Sequence, residues 1–145
     1  MPYGGRVKSP DWGEEKLLRA SALLRGTEIE CRDFEASLDR VRAGEFIFTD
    51  PPYTVAHKDN GFVLYNETIF SWADQERLAS ALARASERGA RFILTNADHP
   101  SIRALYRRFQ PRPVTRSSVI AAGAANRRKV TELVFSNYPI EGLDN

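Results

Sequence analysis

The chain has 145 residues, of which 42% are hydrophobic and 28% charged, and its net charge is +2. That suffices for one hydrophobic core, and the usage is close to that of ordinary globular proteins, which excludes general disorder. No apolar run approaches the roughly 20 residues of a membrane helix. The opening residues MPYGGRVKSP lack the apolar stretch of a signal peptide, and the one cysteine, Cys31, cannot form an internal disulfide, so a reduced cytoplasmic setting is expected.

The predicted elements follow in chain order. Residues 1–10 read as an irregular opening segment of a single domain spanning 1–145. Ser9-Pro10-Asp11 offers a helix start with Glu14 and Glu15 in the first turn, and Leu17, Leu18, Ala20, Ala22 and Leu24 give an apolar face ending at Gly26. Thr27–Cys31 reads as a short strand. Phe34, Leu38 and Val41 have helical spacing and stop at Gly44. The bulky run Glu45–Thr49 predicts a strand that must end at Asp50-Pro51-Pro52-Tyr53, because two prolines cannot continue a ladder. Residues 54–70 read as a long loop, a feature that in compact domains is usually functional or mobile.

Ser71 to Arg88 predicts a strong amphipathic helix with an N-terminal box of Ser71 and Asp74, and Gly89 stops it. Its stripe of Trp72, Leu78, Leu82 and Ala85 is read as core. Phe92–Thr95 predicts a buried strand, Pro100–Phe109 a helix, and residues 112–120 and 130–137 two strands able to form a hairpin. This alternation predicts an α/β fold with a mostly parallel, doubly wound sheet ending in an antiparallel hairpin.

Charge is segregated. Between Asp98 and Glu132 there is no acidic residue but eight cationic ones: Arg103, Arg107, Arg108, Arg112, Arg116, Arg127, Arg128 and Lys129. Such a segment beside an acidic remainder fits a phosphate-binding face, and equally a solvated surface. His57 and His99 lack ligand-like spacing, so no metal site is expected.

In open α/β sheets ligands bind at the carboxyl ends of strands, where Asp50-Pro51-Pro52-Tyr53 lies. This tetrapeptide resembles the catalytic motif of amino-group methyltransferases. The segment LYNETIFSWADQERLAS (64–80), Phe92–Asp98, Arg103-Ala104-Leu105-Tyr106, Arg127–Leu133 with Ser136-Asn137-Tyr138, and even Pro2-Tyr3-Gly4-Gly5 resemble, in the same order, segments of Dam-type DNA adenine-N6 methyltransferases, which use S-adenosyl-L-methionine.

The resemblance implies a partial Rossmann-like methyltransferase fold and a set of roles. Asp50 and the Pro51 carbonyl would accept the two N6 hydrogens of adenine, Pro52 would stiffen the turn, and Tyr53 would stack on a base flipped out of double-stranded DNA. Asp33, Phe34 and Asp50 would contact the cofactor, although Asp33 reads equally as a helix cap and Phe34 as core. Lys58, Tyr65, Arg116, Arg127 and Arg128 would contact DNA. No metal is implied. Amide methylation of proteins uses a related motif with Asn in the first position, whereas this chain has Asp50.

The chain departs from the family pattern in one respect. No GxG turn follows an opening strand, and no separate base-reading insert is present. The resemblance therefore covers only the family's C-terminal half, without the first cofactor-binding strands. Three arrangements are open: a complementing N-terminal half supplies the missing strands, Thr27–Cys31 closes the gap, or the chain is a non-catalytic DNA-binding remnant or partner subunit.

Overall fold

The computed structural model describes residues 13–55, 69–117 and 129–140. Its elements are α1 (Glu14–Leu23), α2 (Phe34–Asp39), β1 (Phe46–Thr49), α3 (Trp72–Glu87), β2 (Arg91–Ala97), α4 (Pro100–Leu105), β3 (Arg112–Ser117) and β4 (Lys129–Ser136). The chain divides into two compact units, Met1–Cys31 and Arg32–Asn145. Residues 1–10, including the expected cap Ser9-Pro10, lie outside the described residues, as does Asp11.

In the first unit, Gly13 precedes α1 at φ 60°, and Glu14 and Glu15 occupy the first turn, where the helix dipole favours acids. None of the residues of α1 is buried. The strand expected at Thr27–Cys31 does not form; these residues are irregular and exposed. A strand exists only with a ladder partner, and Glu28 and Glu30 flanking Ile29 leave little apolar surface to recruit one.

The second unit holds a mixed α/β layer structure built on one sheet of order β1-β2-β4-β3. β1 and β2 are parallel, with Phe46 opposite Arg91 and Thr49 opposite Leu94. β4 is antiparallel to both β2 and β3. Among the described strands the sheet is thus not mostly parallel as expected. The hairpin partner β4 folds back between β3 and β2 and sets two of the three pairings antiparallel. The expected antiparallel hairpin is present as β3 and β4.

Alternation along the strands places Ile47, Phe92, Leu94, Asn96, Leu133 and Phe135 on one buried face. Leu78, Ala81, Leu82 and Ala85 of α3 join them in one core with Leu38, Ile102 and Tyr106. Phe46 and Phe48 point to the opposite face and are 56% and 63% exposed. β1 is also an edge, paired only with β2 among the described strands.

Gly89 lets α3 lead directly into β2, alongside the Gly44 turn that precedes β1. Gly89 adopts φ 92° after the helix, and its carbonyl accepts a hydrogen bond from the Gly44 amide at 3.0 Å. A Cβ on Gly89 would stand 3.3 Å from Ala43 Cβ, so the close approach of the two turns also favours glycine.

Helix α3 begins as its sequence predicts. Ser71 Oγ accepts from the Asp74 amide at 3.2 Å, and Asp74 Oδ2 accepts from the Ser71 amide at 2.9 Å. Ser71→Ala removes half of this reciprocal cap and is expected to cost about 1 kcal/mol. Urea denaturation followed by circular dichroism checks this through a lowered midpoint at unchanged slope.

Candidate active site

Because β1 and β2 are parallel and Thr49 is opposite Leu94, the next residues along, Asp50 and Thr95, lie side by side at the carboxyl end of the sheet. Thr95 Oγ1 donates a short hydrogen bond to Asp50 Oδ1. Asp50 is exposed, whereas Pro51, Pro52 and Tyr53 are half-buried. Burial pushes the Tyr53 phenol above its ordinary pKa; the Asp50 and Glu132 carboxylates act the same way, against the opposing Thr95 hydroxyl. The ring therefore stays neutral at neutral pH.

The turn is anchored from below by buried polar groups. The Pro52 carbonyl accepts from the Thr54 amide at 2.9 Å and from Gln75 Nε2 at 3.2 Å. Thr54 Oγ1 donates to the Phe70 carbonyl at 2.6 Å, tying the turn to the residue just before the α3 cap. Thr54, Gln75 and Asn96 are fully buried. Thr49 Oγ1, one residue before Asp50, is buried with no hydrogen-bond partner among the described residues.

Of the expected cofactor contacts, Asp33 is the N-cap of α2, accepting from the Glu35 amide at 2.9 Å, and it pairs with Arg77. Phe34 is half-buried. Its ring lies 5.5 Å from Phe70, with the Arg77 guanidinium 4.8 Å above its centroid. The structure thus brings Phe34 to the anchored turn through Phe70 and Thr54.

Arg77 also binds Glu35 and Asp74, and Arg84 binds Glu35 and Asp39. These contacts lower three carboxyl pKa values: Asp33 through Arg77, Glu35 through Arg84 and then Arg77, and Asp74 chiefly through Ser71. A depressed carboxyl pKa contributes stability that is present above the unfolded value, near pH 4, and lost as pH falls through the folded one. The thermal midpoint is expected to fall modestly as pH drops below about 4, since solvent screens these exposed pairs. The slope should flatten in Arg77→Gln; an unchanged slope would mean that the pairs are too solvent-screened to matter.

Arg116 lies in β3 opposite Val130, and Ser117 lies opposite Lys129. Glu132 already faces Ala97 at the end of β2, so these hairpin residues extend past the sheet at the same end as Asp50. Lys58, Tyr65, Arg127 and Arg128 lie outside the described residues. A cavity of about 450 Å³ lined by Arg108, Phe109, Gln110, Arg112, Asn137 and Tyr138 sits at the other end, since Ser136 faces Ile93 near the start of β2. It takes no part in the Asp50 site. Among the described residues no group of three metal-ligating side chains converges, and no helix is long and apolar enough to cross a membrane.

Thr95, Gln75 and Asn96 are site residues that the sequence reading did not single out. Each left a trace: Thr95-Asn96 is a polar pair closing an apolar strand, and Gln75 continues the Leu78, Leu82, Ala85 stripe at helical spacing.

Residues 2–119 match the family model of the D12 class of N6 adenine-specific DNA methyltransferases. The chain belongs to this family. Among similar proteins, the type II methyltransferase M.MjaIII of Methanocaldococcus jannaschii is 33% identical over 141 residues, covering 95% of this chain and 48% of its own. The type II methyltransferase M1.LlaDCHI of Lactococcus lactis subsp. cremoris is 29% identical over 141 residues, covering 95% and 49%. A DNA adenine methylase of Vibrio cholerae is 32% identical over 136 residues, covering 92% and 48%. The D12-class chain spans about half the length of each of these relatives.

Proposed function

We propose that residues 1–145 form part of the catalytic domain of a DNA adenine-N6 methyltransferase, with S-adenosyl-L-methionine as methyl donor and double-stranded DNA as substrate. The observation that carries this reading is the pairing of Asp50 with Thr95 at the carboxyl ends of two parallel strands, in a chain of the D12 class.

The exocyclic nitrogen of adenine is a poor nucleophile because its lone pair is conjugated into the ring. Thr95 donates to Asp50 Oδ1; in this reading the Asp50 carboxylate accepts one N6 hydrogen and the Pro51 carbonyl the other. Two fixed acceptors orient N6, and the carboxylate stabilises the positive charge that develops on it. Tyr53, neutral and half-buried, stacks on the flipped base. Lys58, Tyr65, Arg116, Arg127 and Arg128 contact the DNA, and the reaction takes place in the cytoplasm. The bound cofactor supplies a methyl group already activated by its sulfonium. Asp33 and Phe34 fit the adenine side of that cofactor, because they combine an exposed carboxylate with a half-exposed ring. Residues 1–145 contain no GxG turn for the remainder of the cofactor.

The sheet accordingly corresponds to part of a Rossmann-like methyltransferase fold, and a complementing half supplies its first strands. The open edge of β1 and the exposed Phe46 and Phe48 support this. The deciding test is methyl transfer from labelled S-adenosyl-L-methionine to mixed duplex DNA, by the chain alone and with a complementing half. Transfer only on complementation is expected. Salt-sensitive DNA binding without transfer in either case would favour a non-catalytic DNA-binding subunit.

A further inference from the structure

Gln75 is an uncharged polar residue in the buried stripe of α3, and its amide sits in a chain of hydrogen bonds of one direction. The Ala97 amide donates to Asn96 Oδ1 at 2.9 Å, which turns Asn96 Nδ2 toward Gln75. Asn96 Nδ2 donates to Gln75 Oε1 at 3.1 Å, and Tyr106 Oη donates to the same oxygen at 3.3 Å. With its oxygen facing two donors, Gln75 must present Nε2 to the Pro52 carbonyl, 3.2 Å away. Neither amide can flip without setting donor against donor and acceptor against acceptor in a buried site. β2, α3 and α4 thereby converge on one peptide of the turn that carries Asp50 and Tyr53.

We propose that Gln75 is a positioning residue for methyl transfer: through its hydrogen bond to the Pro52 carbonyl it fixes the peptide between Asp50 and Tyr53. The role rests on the function proposed above, but the hold on Pro52 can be read without activity. Asn96 and Tyr106 act one step further out, by fixing which end of the Gln75 amide faces the turn. Fixing the turn matters because displacement of reacting groups by about 1 Å can cost about 100-fold in rate.

The test is Gln75→Glu in the full chain. An ionised carboxylate keeps both acceptor contacts, with Asn96 and Tyr106, but sets an acceptor against the Pro52 carbonyl. A protonated carboxyl restores a donor there. Tyr106, the titratable group among the contacts of Gln75, is held neutral by burial, so the new carboxyl is the group that titrates at this point. The Pro52 carbonyl carbon and the Tyr53 ring are followed by NMR across its titration. Both signals are expected to match those of the unsubstituted chain when the carboxyl is protonated, and to shift when it ionises. Under conditions where the unsubstituted chain transfers methyl, kcat should fall about 100-fold on ionisation. KM for DNA should change by less than about threefold.

Signals that stay at their unsubstituted positions after the new carboxyl carbon has itself titrated would overturn the proposal, as would shifted signals with unchanged kcat; a carboxyl that burial keeps protonated throughout passes the test to the next variant. If Gln75→Glu does not fold or does not titrate, Gln75→Met with Tyr106→Phe removes the donor to Pro52 and one of the two donors to Gln75, which leaves only Asn96 Nδ2 without its acceptor. In that variant the Pro52 signal should be displaced at all pH values, and an undisplaced one overturns the proposal. If the unsubstituted chain transfers no methyl group under any condition, the proposed function fails, while the Pro52 signal still decides whether Gln75 holds the turn.

Discussion

In the chain supplied with a complementing half, replacing Asp50 by alanine is expected to lower methyl transfer by roughly 100- to 1,000-fold, the usual cost of removing one preorganised group at a developing charge. The loss should fall on kcat. Asp50 is exposed and ends a strand without supporting the core, so the fold should survive. The cationic residues assigned to DNA are elsewhere in the chain, so affinity for duplex DNA and its salt dependence should change little. Asp50→Asn removes the negative charge and leaves one acceptor oxygen, open to N6 only if the Thr95 hydroxyl turns to accept from the new amide, so its loss should not exceed that of Asp50→Ala. Steady-state methyl transfer together with fluorescence anisotropy on labelled duplex separates the two effects. A variant that loses DNA binding in parallel with activity would place Asp50 in substrate binding and refute its role at the reacting nitrogen.

The second large effect concerns the open side of the sheet. β1 carries two phenylalanines that are more than half exposed, on an edge that pairs only with β2 among the described strands. Parallel strands are ordinarily covered on both faces. Mixing the chain with the polypeptide that represents the part of the Vibrio cholerae relative it does not cover should yield a one-to-one complex, seen by light scattering on a sizing column. Phe46→Asp and Phe48→Asp should each weaken that complex by about 2 kcal/mol, roughly 30-fold. Both should leave the thermal midpoint of the isolated chain nearly unchanged, because neither side chain is in the core. Equal binding by the double variant would show that the half docks elsewhere. Self-association of the unsubstituted chain that the same substitutions abolish would identify a second copy as the occupant.

What was legible in the sequence depended on how far apart the cooperating residues are. α3 could be placed to within a residue at each end, because its stripe, its Ser71 and Asp74 cap and its Gly89 stop are all local. β1 running into Asp50-Pro51-Pro52-Tyr53 was equally plain, since prolines end a strand by their own covalent structure. The hairpin of β3 and β4 was also expected, for the two strands are neighbours in sequence. Family membership belongs with these, because it rests on motifs in a fixed order.

Pairing between distant segments was decided only by the tertiary structure. Thr27–Cys31 has a strand-like composition and forms no ladder, because β propensity has no effect without a partner. The insertion of β4 beside β2 made most pairings among the described strands antiparallel. The parallel register of β1 and β2 set Thr95 beside Asp50, 45 residues away in sequence. The packing of α3 turned Gln75 from a member of an apolar stripe into a donor to Pro52. The sequence by itself determined the local elements and the reactive motif, because their causes lie within a few residues. The fold alone determined what holds that motif in place, because a buried amide or hydroxyl takes its role from whichever distant group becomes its partner.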